Sequence, residues 1–326
     1  MQKSAMSETV LNEPDAGTLD ELNRLAGEIR ARFAGAESRT IETDLIMLGC
    51  RKEADVICKC IARPSITVLA SGCKEADLAG RKVVFRKGTL LALAVDLPDT
   101  FVVKRTEDPD LTSISLVIQE DMLQRALDAF PPGACTCVAP ATVLQADAEL
   151  VCAFRRLLAA DGHPAGDALM RLAAEEILLR VLATPAGPML KRLYNPSSVE
   201  NRIRRSVNWL QAHYRETFDV STLAADAGMS EATYYRHFRS VINVSPRQYI
   251  KHLRLTHARR LMLEEKLDAS QAAFEVGYES PNHFNREYKR LFGASRGLTR
   301  APAGSGLRAY PIENAGGGPA QRALSL

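Results

Sequence analysis

One helical pattern is written twice in this chain. "YYRHFRS", Tyr234 to Ser240, and "HFNREYKR", His283 to Arg290, both run aromatic, polar, Arg, polar, aromatic, basic, with Arg236 and Arg286 fifty positions apart. Repeats of this length mark one structural unit built twice, so the unit constrains the fold before composition does. In the first copy a short helix carrying Leu223 and Ala224 ends at Gly228, and a second opens at Ser230, whose hydroxyl can cap free backbone amides. Two short helices joined by a tight Gly-containing turn form a helix-turn-helix. Ala224 is small enough to let them cross closely. The second copy repeats the device, with Ala273 four residues before Gly277 and Ser280 opening the next helix. The units are predicted over 221–242 and 270–292.

Each second helix divides into two faces. Tyr234, Phe238 and Val241 share one face of the first, and Phe284, Tyr288 and Leu291 share one face of the second, at the spacing of core positions. The remaining faces carry Ala232, Tyr235, Arg236 and Arg239 in one helix and Asn282, Asn285, Arg286 and Lys289 in the other. Arg can donate twice to guanine and Asn can pair with adenine. Arg239, Lys289 and the helix starts at Ser230 and Ser280 suit phosphate contact. A long helix from Ser245 to Glu264 joins the units and spans roughly 30 Å, close to the ~34 Å of one duplex turn. The spacing therefore suits double-stranded DNA read in two successive major-groove segments.

Ahead of this lies a different texture. Residues 1–18 read as a disordered tail, followed by a helix in which Leu22, Leu25, Ile29 and Phe33 recur at helical spacing. The runs "TDLIML", "VICKCI", "SITVLASG", "KVVFRKG", "TLLALAVDLP", "TFVVKRT" and "LTSISLVI", separated by turn residues, predict a meander of strands forming a small barrel or sandwich. Helical patterns return in "QEDMLQRALDAF", "LQADAELVCAFRRLLAA" and "DALMRLAAEEILLRVLAT". The last is apolar around much of its circumference, Leu172, Ile177, Leu178 and Leu179 included. It should be buried against the barrel or against a second copy of the chain. A Pro, Gly and Ser concentration places the boundary near 185–198, giving a domain over 19–190, a helical one over 198–300 and a flexible tail over 301–326.

Charge follows the same division. From Pro196 to Arg300 there are 17 Lys and Arg against 11 Asp and Glu, net +6, whereas the remainder has 25 against 28, net −3. A basic module joined to a slightly acidic one fits a nucleic-acid binder with a separate sensing part. No run approaches the roughly 18 apolar residues that span a bilayer, and the polar start carries no secretory pattern, so a cytoplasmic protein is expected.

With these residues in hand, the C-terminal part resembles the AraC/XylS family of bacterial transcription regulators. The resemblance rests on "LAADAGMSEATYYRHFRSVINVSPRQYIKHLRLTHARRLM" and "AAFEVGYESPNHFNREYKRLFGAS", and "RPSITVLASGCKEADLAGRKVVFRKGTLLALAVDLP" is similar to the N-terminal domain of one of its subgroups. It implies an α+β architecture: a cupin-like β-barrel or sandwich with flanking helices, serving effector sensing or dimerisation, then two helix-turn-helix subdomains joined by a linker helix. By position the family's base-reading sites fall on Ala232, Tyr235 and Arg236, and on Asn282, His283, Asn285 and Arg286. Ala232 offers only contact with a thymine methyl. The family often follows its last helix with Gly-x-Thr-Pro, whereas here Gly293 precedes "ASRGLTR". A homodimer is implied, with RNA polymerase as a partner if the protein activates, and a small-molecule effector as a further partner.

Other chemistry is weighed against this. Cys58/Cys60 and Cys135/Cys137 invite a four-thiolate zinc reading, but structural zinc favours wider C-x2-4-C spacings, so no metal is expected. A thiol or electrophile sensor using Cys58, Cys60 or Cys73 would need lowered thiol pKa values. A variant of that alternative makes the N-terminal domain mainly a protein-interaction module. A metal-dependent oxygenase in a cupin-like barrel needs a histidine cluster, and the only histidine before residue 196 is His163. No enzyme and no cofactor are therefore expected, and His213, His237, His252 and His257 read as surface or interhelix residues.

Overall fold

A computed structural model describes residues 13–33, 39–55, 57–130 and 140–292. Helix α1 (Ala16–Arg32) starts where the Asp15 carboxylate accepts from the Thr18 amide at 2.8 Å. Residues 16–18, expected in the amino-terminal tail, are helical because that cap satisfies a free backbone donor. Leu22, Leu25, Ile29 and Phe33 line its buried face, as their spacing predicts. Ten strands follow: β1 (Arg39–Glu42), β2 (Ile46–Arg51), β3 (Ile57–Ala62), β4 (Ser65–Ser71), β5 (Cys73–Leu78), β6 (Arg81–Arg86), β7 (Thr89–Leu93), β8 (Leu97–Lys104), β9 (Leu111–Val117) and β10 (Ala141–Gln145), with α2 (Glu120–Asp128) before the last. They form two antiparallel sheets, β1-β2-β9-β4-β7-β10 and β3-β8-β5-β6.

The sheets face one another as a sandwich. Helix α1 lies across β2, β4 and β9 of the larger sheet. Its strands are thus covered on both sides, which is why "TLLAL" in β7 is buried at every position instead of alternating. Arg30 ties α1 to the end of β4 and the residue before β9, its guanidinium donating to both Asp110 carboxylate oxygens at 2.8 to 3.0 Å and to Ser71 Oγ at 3.1 Å. Strand β5 is absent from the predicted set because "CKEADL" has few strand-forming residues. It is held by pairing on both edges, with β6 and β8. Strand β10 pairs with β7, so Leu144 and Gln145 belong to a strand rather than to the helix their sequence suggested.

Helix α3 (Ala148–Ala160) begins after Asp147, which caps it through the Leu150 amide at 2.8 Å. Helix α4 (Gly166–Leu182) packs on α3 and buries Ile177 and Leu178, but Leu172 is 65% exposed, against the expectation of a helix buried all round. The Pro and Gly stretch expected as a boundary contains helix α5 (Gly187–Tyr194), with Pro188 in its first turn and Met189, Leu190, Leu193 and Tyr194 buried. Proline is compatible with a helix start, which the composition did not distinguish from a linker. The rest is helical: α6 (Val199–Ala212), α7 (Val220–Asp226), α8 (Glu231–Ile242), α9 (Pro246–Glu264), α10 (Ala269–Glu275) and α11 (Pro281–Phe292).

The two parts touch at defined points. Helix α9 packs on β3 and β8, the Asn243 side-chain amide at the end of α8 donates to the Ala79 carbonyl at 2.6 Å, and the Lys59 ammonium of β3 donates to the Leu291 carbonyl in α11. No helix among the described residues is long and apolar enough to cross a membrane.

Candidate nucleic-acid interface

Helix α7 is capped by Asp219, whose carboxylate accepts from the Ser221 amide at 3.2 Å, and it buries Leu223 and Ala224. The chain then reverses at Gly228, with φ +65°, while the Met229 amide donates to the Ala224 carbonyl at 2.9 Å. Ser230 caps α8 through the Thr233 amide at 3.4 Å. Tyr234 and Phe238 are buried, and Phe238 meets Tyr249 of α9 edge-on at 6.0 Å. The linker α9 opens with a capping box between Ser245 and Gln248 and runs 19 residues, about 28 Å at 1.5 Å per residue.

The second unit repeats these contacts. Asp268 and Gln271 form a capping box at α10, Ala273 is buried, and the Tyr278 amide donates to the Ala273 carbonyl at 2.9 Å. Gly277 has φ +84°, and a Cβ there would lie 2.2 Å from the Arg215 carbonyl oxygen, so only glycine fits. Ser280 caps α11 through the His283 amide at 3.4 Å. Phe284 and Tyr288 are buried, with Phe284 edge-on to Tyr278 at 5.3 Å. Ala224, Gly228, Tyr234 and Phe238 thus occupy the places that Ala273, Gly277, Phe284 and Tyr288 occupy in the other copy.

Opposite these cores lie the polar faces. Ala232, Arg236 and Arg239 on α8, with Ser230 at its start, are exposed, and Tyr235 is half-buried against the core. On α11, Asn282, His283, Asn285, Arg286 and Lys289 are exposed, as is Ser280. The His283 ring leans on Tyr278 at 5.7 Å. Glu287 is turned from this face, its carboxylate 3.2 Å from the Lys251 ammonium on α9. Two exposed rows of hydrogen-bond donors, each on a helix fixed by an aromatic core, can approach base edges and phosphates.

Two further residues hold the units in shape. Arg254 of α9 donates to the Tyr214 carbonyl at 2.6 Å, the Gly277 carbonyl at 2.9 Å and the Glu216 carbonyl at 2.7 Å. Arg202 of α6 donates to the Ala227 carbonyl at 2.9 Å. Each turn therefore has an arginine on a carbonyl beside its glycine. No pattern of residue types signals these contacts, because the acceptors are backbone atoms.

The remaining candidates separate from the interface. Cys58, Cys60 and Cys73 are half-buried in the N-terminal sandwich, and burial pushes all three thiols up, away from the thiolate form a sensor needs. Cys135 and Cys137 lie outside the described residues, as do Gly293 and the residues after it. Among the described residues no group of three or more His, Cys, Asp or Glu could hold a metal ion. His213 stacks on Trp209 at 4.3 Å and His257 on Tyr214 at 4.2 Å, where burial pushes the His257 imidazole down to about 4.

Fold and site together define a helix-turn-helix protein with two units in tandem behind a β-sandwich domain. Residues 223–301 match the family model for a helix-turn-helix domain, and residues 44–189 match that for the AraC-type transcriptional regulator N-terminus. The two matches place the N-terminus of an AraC-type transcriptional regulator ahead of a helix-turn-helix domain. Similar curated proteins include the HTH-type transcriptional regulator ExsA of Pseudomonas aeruginosa, 29% identical over 42% of this chain and 49% of that protein. The virulence regulon transcriptional activator VirF of Yersinia enterocolitica is 29% identical over 40% of this chain and 48% of its own length. The chain thus spans about half the length of the curated relatives it matches. Unsaturated-fatty-acid-bound ToxT from Vibrio cholerae strain SCE256 shares the fold, with a TM-score of 0.54, 9% identity, and coverage of 78% of this chain and 94% of that one.

Proposed function

We propose that the protein is a sequence-specific regulator of transcription that binds double-stranded DNA, each copy reading two successive major-groove segments through α8 and α11. The observation that carries this reading is the doubled unit, with matched buried cores and exposed arginine, asparagine and lysine on the opposite faces. Arg236 and Arg286 serve as base readers, with Tyr235, Asn282, His283 and Asn285 beside them and Ala232 limited to apolar contact. Arg239, Lys289 and the helix starts at Ser230 and Ser280 serve the phosphates. The protein acts in the cytoplasm, and the N-terminal sandwich adjusts the DNA-binding part in response to an effector.

Selection of bound duplexes from a random pool, followed by affinity measurement on the selected site, tests the reading. Arg236→Ala and Arg286→Ala each cost about 1–3 kcal/mol there and relax base preference at one position. Equal losses on selected and unrelated duplexes would sink the assignment.

We further infer a homodimer joined through α4. Leu169 and Leu172 stand exposed one turn apart on that helix, with Arg171 and Glu175 alongside as complementary charges for a two-fold partner. Sedimentation of Leu172→Glu as a monomer, with the parent chain dimeric, is the expected result. Contact with RNA polymerase accompanies this reading if the regulator activates; the similar protein VirF of Yersinia enterocolitica is a transcriptional activator.

A further inference from the structure

The inner face of the four-stranded sheet carries charges that have no counterpart. Cross-strand pairing places Cys60, Asp99 and Leu78 side by side, then Cys58, Phe101 and Ala76, then Val103, Lys74 and Phe85. Arg51 from β2 of the opposite sheet reaches the Phe101 ring, its guanidinium carbon 5.6 Å from the centroid, so this face looks into the sandwich. Ala76, Leu78, Phe85 and Val103 are buried there as a core face should be, but Cys58, Cys60, Phe101 and Lys74 are only half-buried. Strand β3 is the edge of this sheet, and the face beside it therefore stays partly open to solvent.

Two charged groups line this face. Asp99 is 7% exposed, and its Oδ1 has no hydrogen-bond partner among the described residues. A buried carboxylate oxygen left in this state carries its full desolvation cost. Burial pushes the Asp99 carboxyl up to about 6, with Lys74 opposing the shift and Asp77 adding to it. Lys74 lies over two aromatic rings, its ammonium 5.1 Å from the Phe85 centroid and 5.0 Å from that of Phe101. Neither Lys74 nor Asp99 forms an ion pair among the described residues, and Arg51 donates only a long 3.4 Å bond to Thr40 Oγ1. A carboxylate without a cation and a cation without a carboxylate share one aromatic-lined face and do not meet.

We propose that this face binds a small zwitterion of the amino-acid type, its ammonium on Asp99, its carboxylate on Lys74 and Arg51, and its apolar part against Phe101 and Phe85. The proposal rests on the reading of the N-terminal sandwich as the sensing part and names the chemical class that it takes. Both ligand charges are needed: an amine alone leaves Lys74 unanswered, and an acid alone leaves Asp99 unanswered. The site also has a route to the DNA-binding part. Cys58 and Cys60 point to the ligand face, while Lys59 between them points outward to the Leu291 carbonyl of α11. A shift of β3 on binding is therefore felt at the end of a reading helix.

The test is thermal unfolding of the full chain in the presence of each common amino acid in turn, followed by calorimetry on any that raises Tm. At least one free amino acid is expected to raise it, and the N-acetyl and methyl-ester derivatives of that compound are expected not to. Asp99→Asn, which keeps the shape and removes a buried unpaired charge, and Lys74→Met each weaken binding by about tenfold or more, the value of a charge-assisted bond. No shift from any amino acid, or a calorimetric affinity left unchanged in either variant, overturns the proposal. DNA binding is measured on the same preparation. Ligand binding without DNA binding leaves this site standing and sinks the regulator reading, and DNA binding without ligand binding does the reverse.

Discussion

The two helix-turn-helix units share a skeleton and differ in what that skeleton presents. In both, an alanine carbonyl accepts from the amide five residues on, a glycine adopts positive φ, and a serine caps the next helix. The presented faces differ: α8 offers Ala232, Tyr235 and Arg236, and α11 offers Asn282, His283, Asn285 and Arg286. The second turn is one residue longer, Ser280 standing three positions after Gly277 where Ser230 stands two after Gly228. In the proposed reading, architecture and readout therefore fall to separate residues. One can be altered without the other, and each unit can be broken on its own terms.

The largest expected losses lie at the turn glycines. A Cβ at Gly277 would sit 2.2 Å from the Arg215 carbonyl oxygen, a backbone atom, whereas at Gly228 the nearest atom is the Arg202 guanidinium at 3.3 Å, the end of a flexible side chain. Both positions carry the ~1–2 kcal/mol cost of a left-handed alanine, but only position 277 adds a backbone displacement of comparable size. Gly277→Ala should cost about 3 kcal/mol in urea unfolding and Gly228→Ala about 1.5 kcal/mol. Equal costs would mean that the second turn is free to move.

Next comes the arginine holding each turn. Arg254 satisfies three carbonyls from a half-buried position, and Arg202 satisfies one of those nearest Gly228. With charge-assisted bonds at ~1.5–3 kcal/mol and only part of that recovered by water after truncation, Arg254→Ala should cost about 3 kcal/mol and Arg202→Ala about 1 kcal/mol. Urea unfolding reads both. DNA affinity separates them further, because loss of Arg254 loosens the turn that aims α11.

Acid should act on the side of the second unit through His257. Its ring stacks on Tyr214, whose carbonyl Arg254 holds, and burial with Arg260 and Arg215 nearby pushes it down to about 4. An ordinary histidine near 6.5 in the unfolded chain binds its proton first, so the unfolded state gains protons as pH falls below 6.5. The contribution is whole above pH 6.5 and is lost as pH approaches 4, a difference of about 3 kcal/mol over that window. Stability curves of His257→Phe that run parallel to those of the parent chain across the window would remove His257 as the cause.

This comparison also marks what the sequence made legible. The doubled unit was readable because its core residues recur at helical spacing and its turns need glycine, both local demands that leave residue-type signatures. Tyr234, Phe238, Phe284 and Tyr288 are buried where that spacing put them. Strand β5 was not readable, since "CKEADL" becomes a strand only when β6 and β8 arrive on either side. Arg254 leaves no local signature for the same reason. Its acceptors are backbone carbonyls 23 to 40 residues away, and a carbonyl has no letter. The unpaired Asp99 and Lys74 are equally silent in sequence, because their meaning lies in what the opposite sheet does not supply.

The smallest expected effect tests whether the units divide the phosphate work evenly. Arg239 on α8 and Lys289 on α11 occupy equivalent places, one turn beyond Tyr235 and Asn285, and both are exposed. If each neutralises one phosphate, replacing either by alanine releases one fewer counterion on binding, and the slope of log K against log salt falls by about 1. Base preference should stay as it was, and the loss at physiological salt should be below about 1 kcal/mol, as for other solvent-exposed charge pairs. A guanidinium is always charged and can grip a phosphate with two bonds, whereas an ammonium acts as a point charge. Arg239→Lys should therefore keep the slope and lose part of the affinity, while Lys289→Arg keeps the slope and gains. A slope that falls for one unit only would show that the other stands clear of the backbone, and that the two halves meet DNA differently despite their common skeleton.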